Sequence, residues 1–125
     1  MRQRRSSLVW AWGSITTTFF RETADLSCRV EEDGVCLGGI TAWRADELVV
    51  ADLLWVADDC HGRGLGRRLL GAVGEEGHRL GACRVELNTC GFQAPGFYEK
   101  LGYRCFAAVE PAVGAWGHYF YFKEF

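Results

Sequence analysis

The chain has 125 residues, of which 49% are apolar and 24% charged, with a formal net charge of −2 at pH 7. That length holds one domain, the apolar share excludes a disordered chain, and the near-neutral balance excludes a global attraction to nucleic acid or an anionic membrane. Arg2, Arg4 and Arg5 are the local exception and read as a solvated amino end.

Leu8–Trp12 follows these arginines. The run is short for the apolar segment of a secretory leader, no small-x-small site follows it cleanly, and no apolar stretch is long enough to span a membrane. The expected location is the cytoplasm. Leu8–Phe20 is rich in aromatic and β-branched residues and fits a strand or a helix equally. Residues 1–24 are therefore left unassigned within a single domain spanning 1–125.

From Asp25 the pattern sharpens. Leu26, Cys28 and Val30 alternate with polar residues, and Glu31-Glu32-Asp33-Gly34 signals a hairpin turn. Val35–Trp43 is the returning strand and Arg44–Glu47 the next turn. Leu48–Val56 is a nearly continuous apolar run holding one acid, Asp52, so this strand is expected to be buried on both faces at the centre of a sheet. A glycine-rich loop follows over Asp58–Gly64, then a helix. Leu65, Leu69, Ala72, Val73, Glu76 and Leu80 fall at helical spacing, and Gly81 is placed to end it. Gly71, Gly74 and Gly77 each weaken that helix by about 1 kcal/mol relative to alanine, a cost that close packing on the sheet would explain.

Cys83–Asn88 is a short strand with Cys83, Val85 and Leu87 on one face. Pro95 opens a short helix running to Leu101, ended by Gly102. Tyr103–Val109 and His118–Phe125 are further strands, joined by a loop containing Pro111 and Gly114. Strands surrounding two helices make an α+β fold. The six cysteines form no C-x-x-C pair, and no histidine stands at zinc-ligand spacing from two of them. No metal is expected, and most cysteines are expected as small core residues. Cys60 and Cys90 flank the functional segments, which leaves a reactive thiol open as an alternative. His78 reads as solvent-facing, His118 as the start of a strand, and Tyr119–Phe122 as sheet packing.

The loop carries the chemistry. N–H groups at a helix start have no intrahelical partner and sit at the positive end of the helix dipole. Gly62, Gly64 and Gly66 let such a backbone approach an anion closely, with Arg63, Arg67 and Arg68 beside it, an arrangement suited to a pyrophosphate. The G-x-G-x-x-G fingerprint fails, since the last position is Arg67 or Leu69, and no Gly-Lys-Ser/Thr exists for a nucleotide-triphosphate loop. A plain glycine-rich turn is the alternative reading of this segment alone.

Val56–Leu70 resembles the acetyl-CoA signature of the GNAT superfamily of N-acetyltransferases, Gln/Arg-x-x-Gly-x-Gly/Ala after the fourth strand. Ala94–Tyr103 resembles the family's second hallmark, Phe-Tyr-x-x-x-Gly-Phe/Tyr, and the interval between the two fits one helix and one strand. Leu53–Val56 and Phe92–Tyr98 are further similar to a bacterial subgroup described as histone-acetyltransferase-like. His61 stands at the Gln/Arg position, and Gly91 where many members carry asparagine.

The resemblance implies an αβα-layered α+β domain with a mixed, mostly antiparallel sheet, splayed between the fourth and fifth strands and flanked by helices. It implies acetyl-CoA as co-substrate, and acetyl transfer to a primary amine of a small molecule or peptide by direct attack in a ternary complex. The cofactor would lie along the backbone of Leu54, Trp55 and Val56 and on His61, Gly62, Arg63, Gly64, Leu65, Gly66 and Arg67, with Asn88 and Tyr98 completing the set. N–H groups of Trp55–Ala57 would polarise the thioester carbonyl. Asp52 is the first candidate for the general base and Glu86 the reserve; the bland readings are a structural acceptor and a solvent-facing strand residue. Tyr98 matches the general acid, with a core aromatic as its alternative. No nucleic-acid or membrane partner is implied, and a homodimer is a base-rate expectation. A non-catalytic acyl-CoA-binding module is the rival function.

Overall fold

The computed structural model describes residues 22–90 and 95–125. The amino-terminal arginines, the apolar run 8–20 and Gly91 lie outside the described residues. The strands are β1 (Thr23–Asp25), β2 (Cys28–Glu32), β3 (Val35–Ala45), β4 (Leu48–Val56), β5 (Arg84–Cys90), β6 (Arg104–Val113) and β7 (Trp116–Glu124). A 3-10 turn (Asp58–Cys60) and helix α1 (Leu65–Arg79) lie between β4 and β5, and helix α2 (Pro95–Lys100) between β5 and β6. The strands form one seven-stranded sheet in the order β1-β3-β4-β5-β7-β6, with β2 also pairing on β3. Every pairing is antiparallel except β4 with β5, which the α1 crossover makes parallel. The expected mixed, mostly antiparallel sheet is therefore present. Among the described residues no helix is long and apolar enough to cross a membrane.

Local chemistry accounts for the elements. Asp33 and Gly34 both have positive φ, 52° and 79°, the conformation that turns a two-residue hairpin between β2 and β3. Both helices end alike. At α1, the Ala82 N–H donates to Gly77 O at 2.9 Å and the Gly81 N–H to His78 O at 3.0 Å. At α2, Tyr103 donates to Tyr98 O at 3.1 Å and Gly102 to Glu99 O at 3.0 Å. These are paired Schellman bonds, with Gly81 and Gly102 at φ of 105° and 91°.

The core lies between the sheet and the two helices. Leu69, Leu70 and Val73 of α1 and Tyr98 of α2 pack with Val49, Val85, Leu87 and Tyr121 of the sheet. The buried face of α1 is Leu65, Leu69, Leu70, Val73, Gly74 and Gly77, which corrects the expected stripe: Ala72 and Glu76 face solvent. Gly74 and Gly77 belong to the packing face because a methyl at Gly77 would overlap Val49, and one at Gly74 would stand 3.4 Å from the Phe125 ring.

Four expectations need correction. Only Cys60 among the cysteines is buried, because the others fall at strand edges and on the sheet's less covered positions. Cys83 precedes β5 rather than sharing its inward face. Strand β3 extends to Ala45 because Arg44 is drawn in, its guanidinium held by Glu22 at 2.7 Å. Strand β6 continues through Pro111 to Val113; it is the sheet's edge, where proline's missing N–H breaks no ladder bond.

Candidate active site

The parallel β4–β5 pairing runs from Leu48↔Arg84 only to Ala51↔Leu87. Beyond it the strands part, β4 continuing beside β3 to Val56 and β5 beside β7 to Cys90. The divergence begins at a bulge. Thr41 pairs with Leu53 and Ala42 with Ala51, so Asp52 is the extra residue. The bulge also reverses the alternation of β4. Val49 meets α1 at Gly77, and Leu54 meets it at Gly66, although their positions have opposite parity.

Asp52 therefore departs from expectation in its burial. The second half of β4 is not buried on both faces: Asp52 is exposed, and Leu53 and Trp55 are 55% and 46% accessible. Asp52 nevertheless lines the cavity that the splay opens, a space of about 240 Å³ walled also by Leu54, Leu87, Asn88, Thr89 and Tyr98.

Past the bulge, one edge of β4 has no paired strand among the described residues. The Ala57 N–H donates to Leu37 O at 2.8 Å, which marks 37/57 as a bonded pair. In an antiparallel ladder bonded pairs alternate, so with the observed register 39/55 and 41/53 are bonded too. Trp55 and Leu53 thus face β3, while the N–H and C=O groups of Leu54 and Val56 point into the splay. Of the Trp55–Ala57 amides, only that of Val56 is turned towards the cavity side. The Val56 carbonyl accepts from His61 Nε2 at 3.1 Å, so His61 ties the loop to the end of β4.

The loop itself presents bare backbone. Gly62 and Gly64 have φ of 86° and 75°, and added methyl groups there would meet no atom within 4 Å. Their glycine requirement is conformational, and the space beside them is open. Gly64 caps α1 without a side-chain hydrogen bond, and the first helical bond runs from Arg68 N to Gly64 O at 3.0 Å. The N–H groups of Leu65, Gly66 and Arg67 precede that bond, at the positive end of a 15-residue helix. Arg63 is committed elsewhere: its guanidinium bonds Glu32 at 2.9 Å. Arg67 lines an open groove with Lys100 and Lys123.

On the cavity floor, Tyr98 is buried among aromatic rings, edge-on to Phe97 and Tyr103 at centroid distances of 5.1 and 6.2 Å. Removal from water pushes its hydroxyl above the ordinary tyrosine range. A bond from Tyr121 Oη to Glu99 Oε1 at 3.1 Å fixes α2 on β7 and so places Tyr98. Glu86 does not line the cavity. Val85, Leu87 and Thr89 point to the helices, and alternation puts Glu86 and Asn88 on the other side of β5. Asn88 still reaches the cavity wall, and its Oδ1 lies 3.1 Å from His118 Nε2. His118, read from sequence only as the start of a strand, gains this partner through the β5–β7 register. Among the described residues no group of three or more His, Cys, Asp or Glu side chains could hold a metal ion.

A strand opened by a bulge, a glycine loop at a helix start and a tyrosine below the gap define an acetyltransferase-like site. Residues 24–105 match the family described as the acetyltransferase (GNAT) domain, and the chain belongs to that family. It is 37% identical over 79 residues to the blasticidin-S acetyltransferase of Streptomyces morookaense, covering 62% of this chain and 58% of that protein. This chain therefore matches just over half the length of that curated relative. An acetyltransferase structure from Bacillus cereus ATCC 14579 superposes with a TM-score of 0.82 at 26% identity, covering 99% of this chain and 90% of the other. Arabidopsis thaliana Naa50, in complex with the bisubstrate analogue CoA-Ac-MVNAL, shares the fold with a TM-score of 0.67 at 21% identity over 80% of this chain and 73% of its own.

Proposed function

We propose that this chain transfers the acetyl group of acetyl-CoA to a primary amine of a small molecule or peptide, by direct attack with both substrates bound. The observation that carries the reading is the edge of β4 that has no strand partner among the described residues, where Leu54 and the Val56 N–H turn towards a cavity also lined by Asp52 and Tyr98. Acetyl-CoA supplies an acetyl group activated as a thioester. Its diphosphate suits the free amides of Leu65, Gly66 and Arg67, and its extended arm suits a strand edge. The Val56 N–H is the amide placed to stabilise charge on the acetyl oxygen.

An alkyl amine has a pKa of about 10.4, so its proton must be removed before attack. Asp52 at the cavity mouth takes that role, directly or through water. Glu86 is the weaker candidate, being off the cavity wall. Tyr98, kept protonated by burial, holds the proton that the departing sulfur needs. Similarity to a protein named for acetylating blasticidin S supports a small-molecule acceptor.

The test is thiol release from acetyl-CoA across a panel of amines. Acceptor-dependent release, reduced in Tyr98→Phe and in Asp52→Asn, is expected. Binding of acetyl-CoA without release to any acceptor, and indifference to Tyr98→Phe, would leave the acyl-CoA-binding module instead.

A further inference from the structure

The histidine that the mechanism does not use touches a residue of the cavity wall, Asn88. His118 on β7 is paired with Cys90, and Asn88 with Phe120, so His118 and Asn88 are diagonal neighbours on one face of the sheet. The His118 ring packs on Phe120 with centroids 4.5 Å apart, which limits its swing. Its Nε2 lies 3.1 Å from Asn88 Oδ1. With its hydrogen on Nε2, the ring donates to that carbonyl oxygen, which can only accept. That bond engages one end of the Asn88 amide: with Oδ1 turned to the histidine, the NH₂ group, a double donor, is the end left for a bound molecule, on a residue that lines the same cavity as Asp52.

We propose that His118 is a positioning residue for acceptor recognition, holding Asn88 with its NH₂ towards the cavity. The cavity then offers an acceptor, the Asp52 carboxylate, and a donor, the Asn88 amide. Such a pair selects an amine that bears a hydrogen-bond-accepting oxygen near its nitrogen, as in an amino amide or amino alcohol, over a plain alkyl amine. The amine addresses Asp52 and the oxygen addresses Asn88. A site donor left without its partner by the plain amine is what generates the discrimination. The inference rests on the acetyl-transfer reading and adds the class of acceptor to it.

The experiment compares kcat/KM for β-alaninamide and n-butylamine, both expressed per free amine, at one saturating acetyl-CoA concentration. Taking the ratio of the two acceptors cancels any change in cofactor contact. The wild type is expected to favour β-alaninamide about 3- to 10-fold, the range of one net hydrogen bond. His118→Ala should bring the ratio towards one, mainly through a higher KM for β-alaninamide, and Asn88→Ala should do the same. The double variant should be no worse than Asn88→Ala, because the two act as a unit. His118→Gln, which retains an N–H donor, should recover part of the preference. Equal use of both amines by the wild type, or an undiminished preference in His118→Ala, overturns the inference while leaving acetyl transfer intact. Release of CoA with neither amine nor any other acceptor overturns the acetyl-transfer reading and this inference with it.

Discussion

The hydroxyl of Tyr98 sits where removing one atom changes chemistry more than packing. Its ring is wedged between Phe97, Tyr103 and Tyr121, so Tyr98→Phe preserves those contacts and deletes only the proton donor. The kcat for acetyl transfer is expected to fall about 10²-fold, the low end for a positioned acid, with acetyl-CoA affinity and melting temperature nearly unchanged. Burial raises this pKa, and the sign follows directly: the protonated, donating form persists above the ordinary tyrosine value of about 10. Activity should therefore show no tyrosine-dependent loss as pH rises through 7 to 9. A kcat that declines across that range in wild type but not in Tyr98→Phe would contradict the assignment. Tyr98 was legible because its neighbours in sequence, Phe97 and Gly102, form a local pattern. Asp52 was legible only as a lone acid in an apolar run. Its exposure follows from a bulge set by pairing with β3, which no residue of β4 announces. His118 gained a partner only when the β5–β7 register brought Asn88 beside it, a non-local contact that strand spacing alone does not supply.

Within α1 the glycines divide into two kinds, and substitution tells them apart. Gly77 faces Val49, which is fully buried, and a Cβ there would overlap it. The gain of up to about 1 kcal/mol in helix propensity from Gly77→Ala is then outweighed by overpacking, which costs about 1–3 kcal/mol. Gly71 is exposed, and a methyl added there would have nothing within 4 Å, so Gly71→Ala keeps the propensity gain and should stabilise by up to about 1 kcal/mol. Urea unfolding of both variants checks the pair. A destabilised Gly71→Ala, or a Gly77→Ala as stable as wild type, would show that α1 does not lie on β4 as described. Elements with local punctuation were readable from sequence: the Asp33-Gly34 hairpin, and both helix ends at Gly81 and Gly102. The end of β6 was not, because Pro111 signals a loop unless the strand is known to be an edge. The helix face was half readable, since hydrophobic spacing cannot count a glycine as a packing residue.

At the scale of the molecule, the parallel β4–β5 pair ties the two ends of the site together, and ligand binding should be felt as stability of the whole domain. The strand–helix–strand order between Leu48 and Cys90 made that parallel pair foreseeable, since a crossover helix is the common way to join such strands. The length over which they stay paired was not foreseeable, because it depends on the bulge. If the open edge and the Gly62–Gly64 loop together hold acetyl-CoA, the ligand binds the folded state and not the unfolded chain. At 100 times its Kd, it adds about 2.7 kcal/mol. For a domain of this size that corresponds to a rise of roughly 8–12 °C in melting temperature. The rise should survive in Tyr98→Phe, which removes a proton donor and leaves the loop amides in place. Gly64→Val should abolish it: φ of 75° disfavours a branched side chain, and the new atoms enter the open space beside the helix amides. Its unliganded melting point should drop by only a few degrees, because nothing else packs there. Thermal scans of the three proteins with and without acetyl-CoA separate the cases. A wild-type protein that folds and melts cooperatively, yet shows no shift with acetyl-CoA, would mean that the splay and the glycine loop do not form one binding surface.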